Sequence, residues 1–296
     1  MRLRVHGAGL IDDRILPRND RGLWWLLAVI VGLFWFLPHS VAAAETAGTI
    51  PRLTSSDLAK RLLSGLAPGG GTDTSDYVVV PPRHIDPGLT RTGEGAGHFT
   101  LSHVETMAIQ GDPARIVLLV TLDPASGDQT AMSLLALFAV APGVRLLDVV
   151  EVGFDRWTGF REKGPVSLGL GVPLIVIDTG HDNSNQNYLS SAMMFIRANR
   201  FRLIDQVFTF SDSACTVTNR QSPSFITFPD FGLYRAIRVV VRETVTRTGE
   251  VCEAAVVPRG RVTWHRAIYR WDARQRRFVT RSRALIALRA RNATRW

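Results

Sequence analysis

Residues 116 to 155 align without a gap with residues 173 to 212, 57 positions downstream, and any fold must accommodate both copies of that pattern. The shared positions include Gln129/Gln186, Ser133/Ser190, Phe138/Phe195, Arg145/Arg202, Leu146/Leu203, Asp148/Asp205, Val150/Val207 and Asp155/Asp212, with apolar residues matched to apolar residues between them. Internal repetition of β-patterned segments marks stacked β units. Strands are expected over Phe99 to Ile109, Arg115 to Leu122, Met132 to Val140 and Val144 to Phe154. A second set is expected over Val166 to Leu170, Pro173 to Ile177, Leu189 to Arg197 and Phe201 to Phe210.

Turn chemistry separates these strands at matching places. Ala141-Pro142-Gly143 occupies the position that Ala198-Asn199-Arg200 takes in the copy, which puts a hairpin at the same phase of each. A weaker third hairpin joins Val262–Trp271 to Arg277–Arg283 around Asp272-Ala273-Arg274-Gln275, and Tyr234 to Val245 precedes it as a further strand. Val117 to Val120 and Leu174 to Ile177 are apolar on consecutive residues, a pattern that requires cover on both faces of a sheet.

The expected class is therefore all-β, with repeated antiparallel four-stranded units near 98–155, 156–212 and 230–285 forming one domain, 98–296. Propeller-like blades, a sandwich or a barrel all satisfy the pattern. Ahead of them, residues 45–97 read as a connecting segment. It holds a short helix from Leu53 to Leu63, capped by Thr54 or Ser55 and ended by Pro68-Gly69-Gly70-Gly71. A strand from Tyr77 to Val80 and a Gly-rich loop from Pro87 to Gly97 follow.

Arg2, Arg4, Arg14, Arg18 and Arg21 precede an apolar run from Leu23 to Leu37 that Pro38 breaks. At about 15 residues the run matches a signal-peptide core and falls short of a spanning helix. Ala42-Ala43-Ala44 supplies small residues for cleavage before Glu45, so residues 1–44 are expected to be a signal peptide and the product periplasmic or secreted. The long lead and the bulk of Trp24, Trp25, Phe34, Trp35 and Phe36 support the alternative of an uncleaved anchor. An oxidising compartment would pair Cys215 with Cys252. Closing that loop of about 36 residues is worth roughly 3 to 4 kcal/mol in the loop-entropy picture.

The formal net charge is +9, carried almost wholly by arginine, since Lys60 and Lys163 are the only lysines. Such a balance attracts polyanions. Export argues against nucleic acid and leaves a protein partner or an anionic envelope polymer, with membrane contact only through an uncleaved N-terminal segment. Arginines gather near the C-terminal hairpin, among them Arg266, Arg270, Arg274, Arg276 and Arg277.

The most polar stretch is His181-Asp182-Asn183-Ser184-Asn185-Gln186-Asn187, with Asp178 just before it. Oxygens of Asn183, Asn185 and Asn187 with Asp178 or Asp182 are the kind that calcium takes, although amide oxygens are uncharged and the usual turn glycine is missing. A turn whose Asn and Asp side chains bond their own backbone explains the same composition. His84, His98, His103 and His181 show no metal-ligand spacing, and no Gly-x-Ser-x-Gly, His-Glu-x-x-His or phosphate-cradling glycine loop occurs. Without such motifs, the leading expectation is a non-catalytic β-repeat protein. It would bind a partner or envelope component through loops on one rim, with no cofactor beyond a possible calcium ion. The alternative is a secreted metal-dependent hydrolase centred on Asp178, His181 and Asp182.

Overall fold

The computed structural model describes residues 54–66, 77–89, 97–110, 114–125, 131–153, 155, 157–162, 166–214, 217–247 and 260–295. Residues 1–44 and both Cys215 and Cys252 lie outside them, so neither the signal segment nor the disulfide is seen. The elements are α1 Ser55–Leu66, β1 Tyr77–Val79, β2 Gly97–Ile109, β3 Arg115–Pro124, β4 Met132–Ala139, β5 Arg145–Gly153, β6 Trp157–Phe160 and β7 Val166–Ser167. Then come β8 Pro173–Asp182, β9 Gln186–Arg197, β10 Arg200–Ala214, β11 Val217–Phe228, β12 Ala236–Arg247, β13 Arg261–Asp272, β14 Arg277–Thr280 and α2 Ala284–Ala293. The chain is all-β in class, with every described strand pair antiparallel.

The strands form two sheets rather than four-stranded blades. One has five strands in the order β1-β2-β3-β4-β5; the other runs β14-β13-β12-β11-β10-β9-β8-β6, with β7 also on β8. The repeated unit is a three-stranded meander, β3-β4-β5 in the first sheet and β8-β9-β10 in the second. Ser133 and Ser190 keep the repeat phase yet face Thr121 and Thr179, so the opening strand of the second copy is shifted by one residue.

Consecutive apolar residues do face two different cores. Along β3, Val117 and Leu119 meet Ile175, Ile177, Met194 and Phe201 of the second sheet, and the alternate Leu118 and Val120 pack with Leu58, Leu62 and Leu63 of α1. Along β8, Ile175 and Ile177 enter the inter-sheet core, while Leu174 and Val176 face a third core inside the curled second sheet. There Ile237, Val239, Ala267, Tyr269 and Phe278 surround Leu285 and Leu288 of α2. Each sheet thus carries a helix on the face turned away from the other sheet. Thr54 and Asp57 cap α1 reciprocally: the Asp57 N–H donates to Thr54 Oγ1 (3.1 Å) and the Thr54 N–H to Asp57 Oδ2 (3.0 Å).

Beyond β1 the chain crosses Pro81-Pro82 and lies along β5, where His84 bridges Glu151 and Ile85 N–H donates to Glu151 O (2.8 Å). One stretch, 77–85, therefore pairs with β2 at one side of the five-stranded sheet and with β5 at the other, which leaves fewer bare edge groups on β2 and β5 for another chain to pair with.

A β-bulge shared by both copies sets which residues of the repeat lie on one face. Arg145 and Asp148 are three apart, as are Arg202 and Asp205, and in a regular strand they would face opposite ways. The register jumps past Leu147 in one copy and Ile204 in the other, at the same repeat position. An extra residue reverses the alternation. Arg145 and Asp148 consequently share a face, and so do Arg202 and Asp205. Each aspartate accepts bonds from outside its own hairpin. Asp148 Oδ2 takes the Phe201 N–H (2.8 Å) and Arg83 Nη2 (3.0 Å); Asp205 Oδ2 takes the Tyr269 hydroxyl (2.6 Å).

Three elements do not show in the strand pattern: β6; β11, whose Asn219, Gln221, Ser222, Pro223 and Ser224 give no apolar alternation; and helix α2, which follows the C-terminal hairpin.

Candidate functional site

The expected loop is a tight connection between β8 and β9. Asn183 Oδ1 accepts the backbone N–H groups of Asn185 (3.3 Å) and Gln186 (2.9 Å), and Asn187 Nδ2 donates to Asp182 Oδ1. Two of the oxygens considered as ligands, Asn183 Oδ1 and Asp182 Oδ1, are thus engaged with the loop itself, as in an Asx turn.

Asp178 and His181 sit three apart in regular strand, and their side chains leave β8 on opposite faces. His181 Nδ1 lies 3.1 Å from Asp155 Oδ1 and its ring stacks on Tyr188 with centroids 6.0 Å apart. Asp178 turns into the curled sheet, where Arg161 Nη2 approaches Oδ2 to 2.8 Å and Arg161 Nε donates to Oδ1 at 3.2 Å. Burial raises the Asp178 pKa, while the Arg161 charge and the Ser191 hydroxyl pull it back. The same guanidinium donates to Ser191 Oγ (3.1 Å) and Pro223 O (3.3 Å) and lies over the Phe225 ring, which makes it a cross-strand tie. Asp178, His181 and Asp182 hence do not meet at one point. Among the described residues no group of three His, Cys, Asp or Glu side chains is placed to hold a metal ion.

Asn183, Asn185 and Asn187 do line a polar cleft of about 540 Å³, with Arg161, Asn219 and Arg220 around it.

A second polar assembly lies deeper in the curled sheet. Glu243 Oε2 is 2.7 Å from Arg291 Nη2 and 3.1 Å from His265 Nε2, and Glu243 Oε1 accepts from Gln221 Nε2 at 3.1 Å. Burial pushes the Glu243 carboxyl up, but the bonds from His265, Gln221 and Arg291 outweigh it and its pKa is lowered overall. Asn292 of α2, fully buried, completes the network through Gln221 (2.8 Å and 3.1 Å) and Phe208 O (3.3 Å). Every partner here is a structural group of the fold, and the network anchors α2.

No family model, curated protein or solved structure matches the chain.

A cavity of about 890 Å³ opens where the two sheets meet. Phe201, Leu203, Ile85 and Leu89 supply apolar wall, and the carboxylates Asp86 and Glu151 also line it. Two hairpins supply guanidinium groups: Arg197 and Arg202 flank the β9–β10 turn, Arg276 and Arg277 the β13–β14 turn. The first turn has only two residues, Ala198 (φ 49°) and Asn199 (φ 56°), both left-handed, which is the type I′ geometry that matches strand twist. Arg197 Nη1 donates to Arg276 O (3.0 Å) while its guanidinium lies over Trp271, and so ties the two hairpins together. Asp148 neutralises Arg83 beside the cavity. Arg202, Arg276 and Arg277 are exposed at its mouth.

Arg276 and Arg277 belong to the basic C-terminal stretch that the sequence marks as attractive to polyanions, whereas Arg197 and Arg202 were not expected at a site. One signal was present: the repeat phases hairpins at Ala198 and Ala273, and both of those hairpins carry arginines.

Proposed function

We propose that this is a non-catalytic binding protein that takes an anionic ligand with an apolar body in the cleft between its two sheets, an envelope component if the chain is exported. The observation that carries the reading is the convergence of Arg202, Arg276 and Arg277 from two tied hairpins over a wall that includes Phe201 and Leu203. The volume falls within the range of small-molecule sites, about 300 to 1,000 Å³, and arginine suits planar carboxylate or phosphate groups. The apolar wall adds affinity in proportion to buried hydrocarbon.

Titration of the full chain with dodecanoate, dodecanol and dodecyltrimethylammonium tests the reading. Dodecanoate should bind at least about tenfold more tightly than either of the others, one charge-assisted contact being worth roughly 1.5 to 3 kcal/mol. The Arg202→Gln/Arg276→Gln/Arg277→Gln variant should lose that preference. Equal binding of the three amphiphiles, or an unchanged preference in the variant, would refute it.

A second reading rests on the polar cleft beside Asn183. Its wall of amide and hydroxyl side chains, with Arg161 and Arg220, suits a hydroxyl-rich ligand such as a short oligosaccharide. Chemical-shift changes confined to Asn side-chain amides on adding a neutral oligosaccharide would support it, and shifts absent at millimolar sugar would remove it.

A further inference from the structure

The outward side of β11, β12 and β13 is distinct from the cleft at the sheet junction and reaches the polar cleft only at Arg220 and Ser222. Inward positions of β12 and β13, among them Val239, Val241, Ala267 and Tyr269, belong to the curled-sheet core. The alternate positions must therefore face out. They are Arg220, Ser222, Ser224, Ile226 and Phe228 on β11, Arg238, Val240, Arg242 and Thr244 on β12, and Val262, Trp264, Arg266, Ile268 and Arg270 on β13. Five of these are arginine and none is acidic. Asp230, just past β11, approaches one of them, Arg270, at 3.7 Å.

Register turns this set into a checkerboard. Ile226, Arg238 and Ile268 form one cross-strand row; Ser224, Val240 and Arg266 the next; Ser222, Arg242 and Trp264 a third. Arg242 and Arg266 both lie over the Trp264 ring, at 5.9 and 5.6 Å, and Arg238 lies 5.9 Å over Phe228. Guanidinium groups held over aromatic rings lose less rotamer freedom when they meet an anion. Between them the apolar side chains remain exposed: Val262 43 %, Ile226 44 %, Trp264 49 % and Ile268 40 %.

We infer that this face docks on an anionic lipid surface. Charge complementarity calls for a dense array of anions, and arginine takes phosphate in bidentate fashion. The half-exposed isoleucines, valine and tryptophan select a bilayer among polyanions, because they can enter the headgroup layer while the guanidiniums stay with the phosphates. A hydrated acidic glycan or a nucleic-acid backbone offers nothing for Ile226, Val262 and Ile268 to bury against. The surface does not depend on the cleft reading, since no residue in the three rows lines the cleft at the sheet junction.

Vesicle sedimentation tests the inference with the full chain. Vesicles of phosphatidylcholine alone are compared with vesicles carrying about one third phosphatidylglycerol. The N-terminal apolar run is common to all variants, so differences between variants isolate the face. The wild type should prefer the anionic vesicles, and 0.5 M salt should weaken that preference. Arg238→Gln/Arg242→Gln/Arg266→Gln should bind them about 100-fold more weakly, as three surface arginines near anionic lipid imply. Trp264→Ser should weaken binding with all charges kept. A far-ultraviolet circular dichroism spectrum and a melting temperature like the wild type's would show the variants folded. Equal vesicle binding by wild type and triple variant, or stronger capture by sulfated glycan or duplex DNA than by anionic vesicles, would overturn the proposal.

Discussion

Removing one hydroxyl tests whether the retained aspartates of the repeat hold the curled sheet together. Tyr269 is buried and its hydroxyl donates to Asp205 Oδ2 at 2.6 Å across the third core. Tyr269→Phe deletes that donor and keeps the ring. A hydrogen bond to a charged group contributes roughly 1.5 to 3 kcal/mol. The lower end applies here, because Asp205 is a third exposed and keeps Arg289 at 3.4 Å and the Gln206 N–H at 2.7 Å. The expected cost is about 1.5 kcal/mol, or a fall in melting temperature of roughly 3 to 6 °C for a domain of this size. Burial first, then the Asp205 charge and hydrogen bond, hold the Tyr269 pKa far above its ordinary value of 10.0. A folded-state pKa raised in this way contributes stability that is fully present below pH 10 and is lost as pH climbs beyond it. The gap between wild type and variant should therefore shrink by about 1.4 kcal/mol per pH unit above 10. Urea unfolding at pH 8 and at pH 10.5 to 11, with the slope m unchanged, reads both numbers. In an Asp205→Asn background the same substitution should cost less. A variant within 1 °C of the wild type at neutral pH, or a gap that stays constant into alkali, would refute the reasoning.

Acid should act through a different carboxylate. Glu243 has a lowered pKa, so its contribution is present above pH 4.5 and lost as pH falls below it, and Glu243→Gln should flatten the stability profile between pH 4.5 and 3 while costing about 2 kcal/mol at neutral pH. Gly153→Ala would bring a Cβ within 2.8 Å of Ser133 Cβ and into contact with Thr158 Oγ1; a loss of about 1 to 3 kcal/mol, part of it recovered by Thr158→Ala, is expected in thermal melts. Asn292→Ala removes the buried amide that joins α2 to Gln221 and Phe208 O. It should cost about 2 to 3 kcal/mol and speed amide exchange in α2 before the strands, as hydrogen-exchange mass spectrometry would show.

How much of this was legible follows from which interactions are local. The β3-β4 and β8-β9-β10 strands, the α1 cap and the two-faced burial of Val117–Val120 all show in short-range pattern and turn residues. The bulge at Leu147 and Ile204 does not, because nothing in either residue marks a skipped partner, and it reverses the facing of Asp148 and Asp205. β11 hides because its inward residues Asn219 and Gln221 are polar and bond to Glu243 and Asn292, groups far away in sequence. α2 left a trace in Leu285 and Leu288, but Asn292 takes the place of the next apolar residue on that face. For the candidate site, the Asn-rich loop drew attention through composition, yet its polar groups largely serve its own turn. The arginines of the cleft come from elements whose adjacency only the docking of two sheets creates.

α2 is made after every strand it packs against, which governs how the fold is completed during synthesis. Leu285, Leu288 and Asn292 come after every strand they pack against in chain order. Until residues 284–293 arrive, the hollow of the nine-stranded sheet exposes Ile237, Val239 and Phe278 and leaves Gln221 short of a partner. The five-stranded sheet has its helix first and can be capped as it forms. Maturation is therefore asymmetric in time: the N-terminal half can settle early, while the C-terminal half holds an open, sticky concavity whose closure waits on a single late helix, and which a chaperone or a stray hydrophobic segment can occupy in the interval.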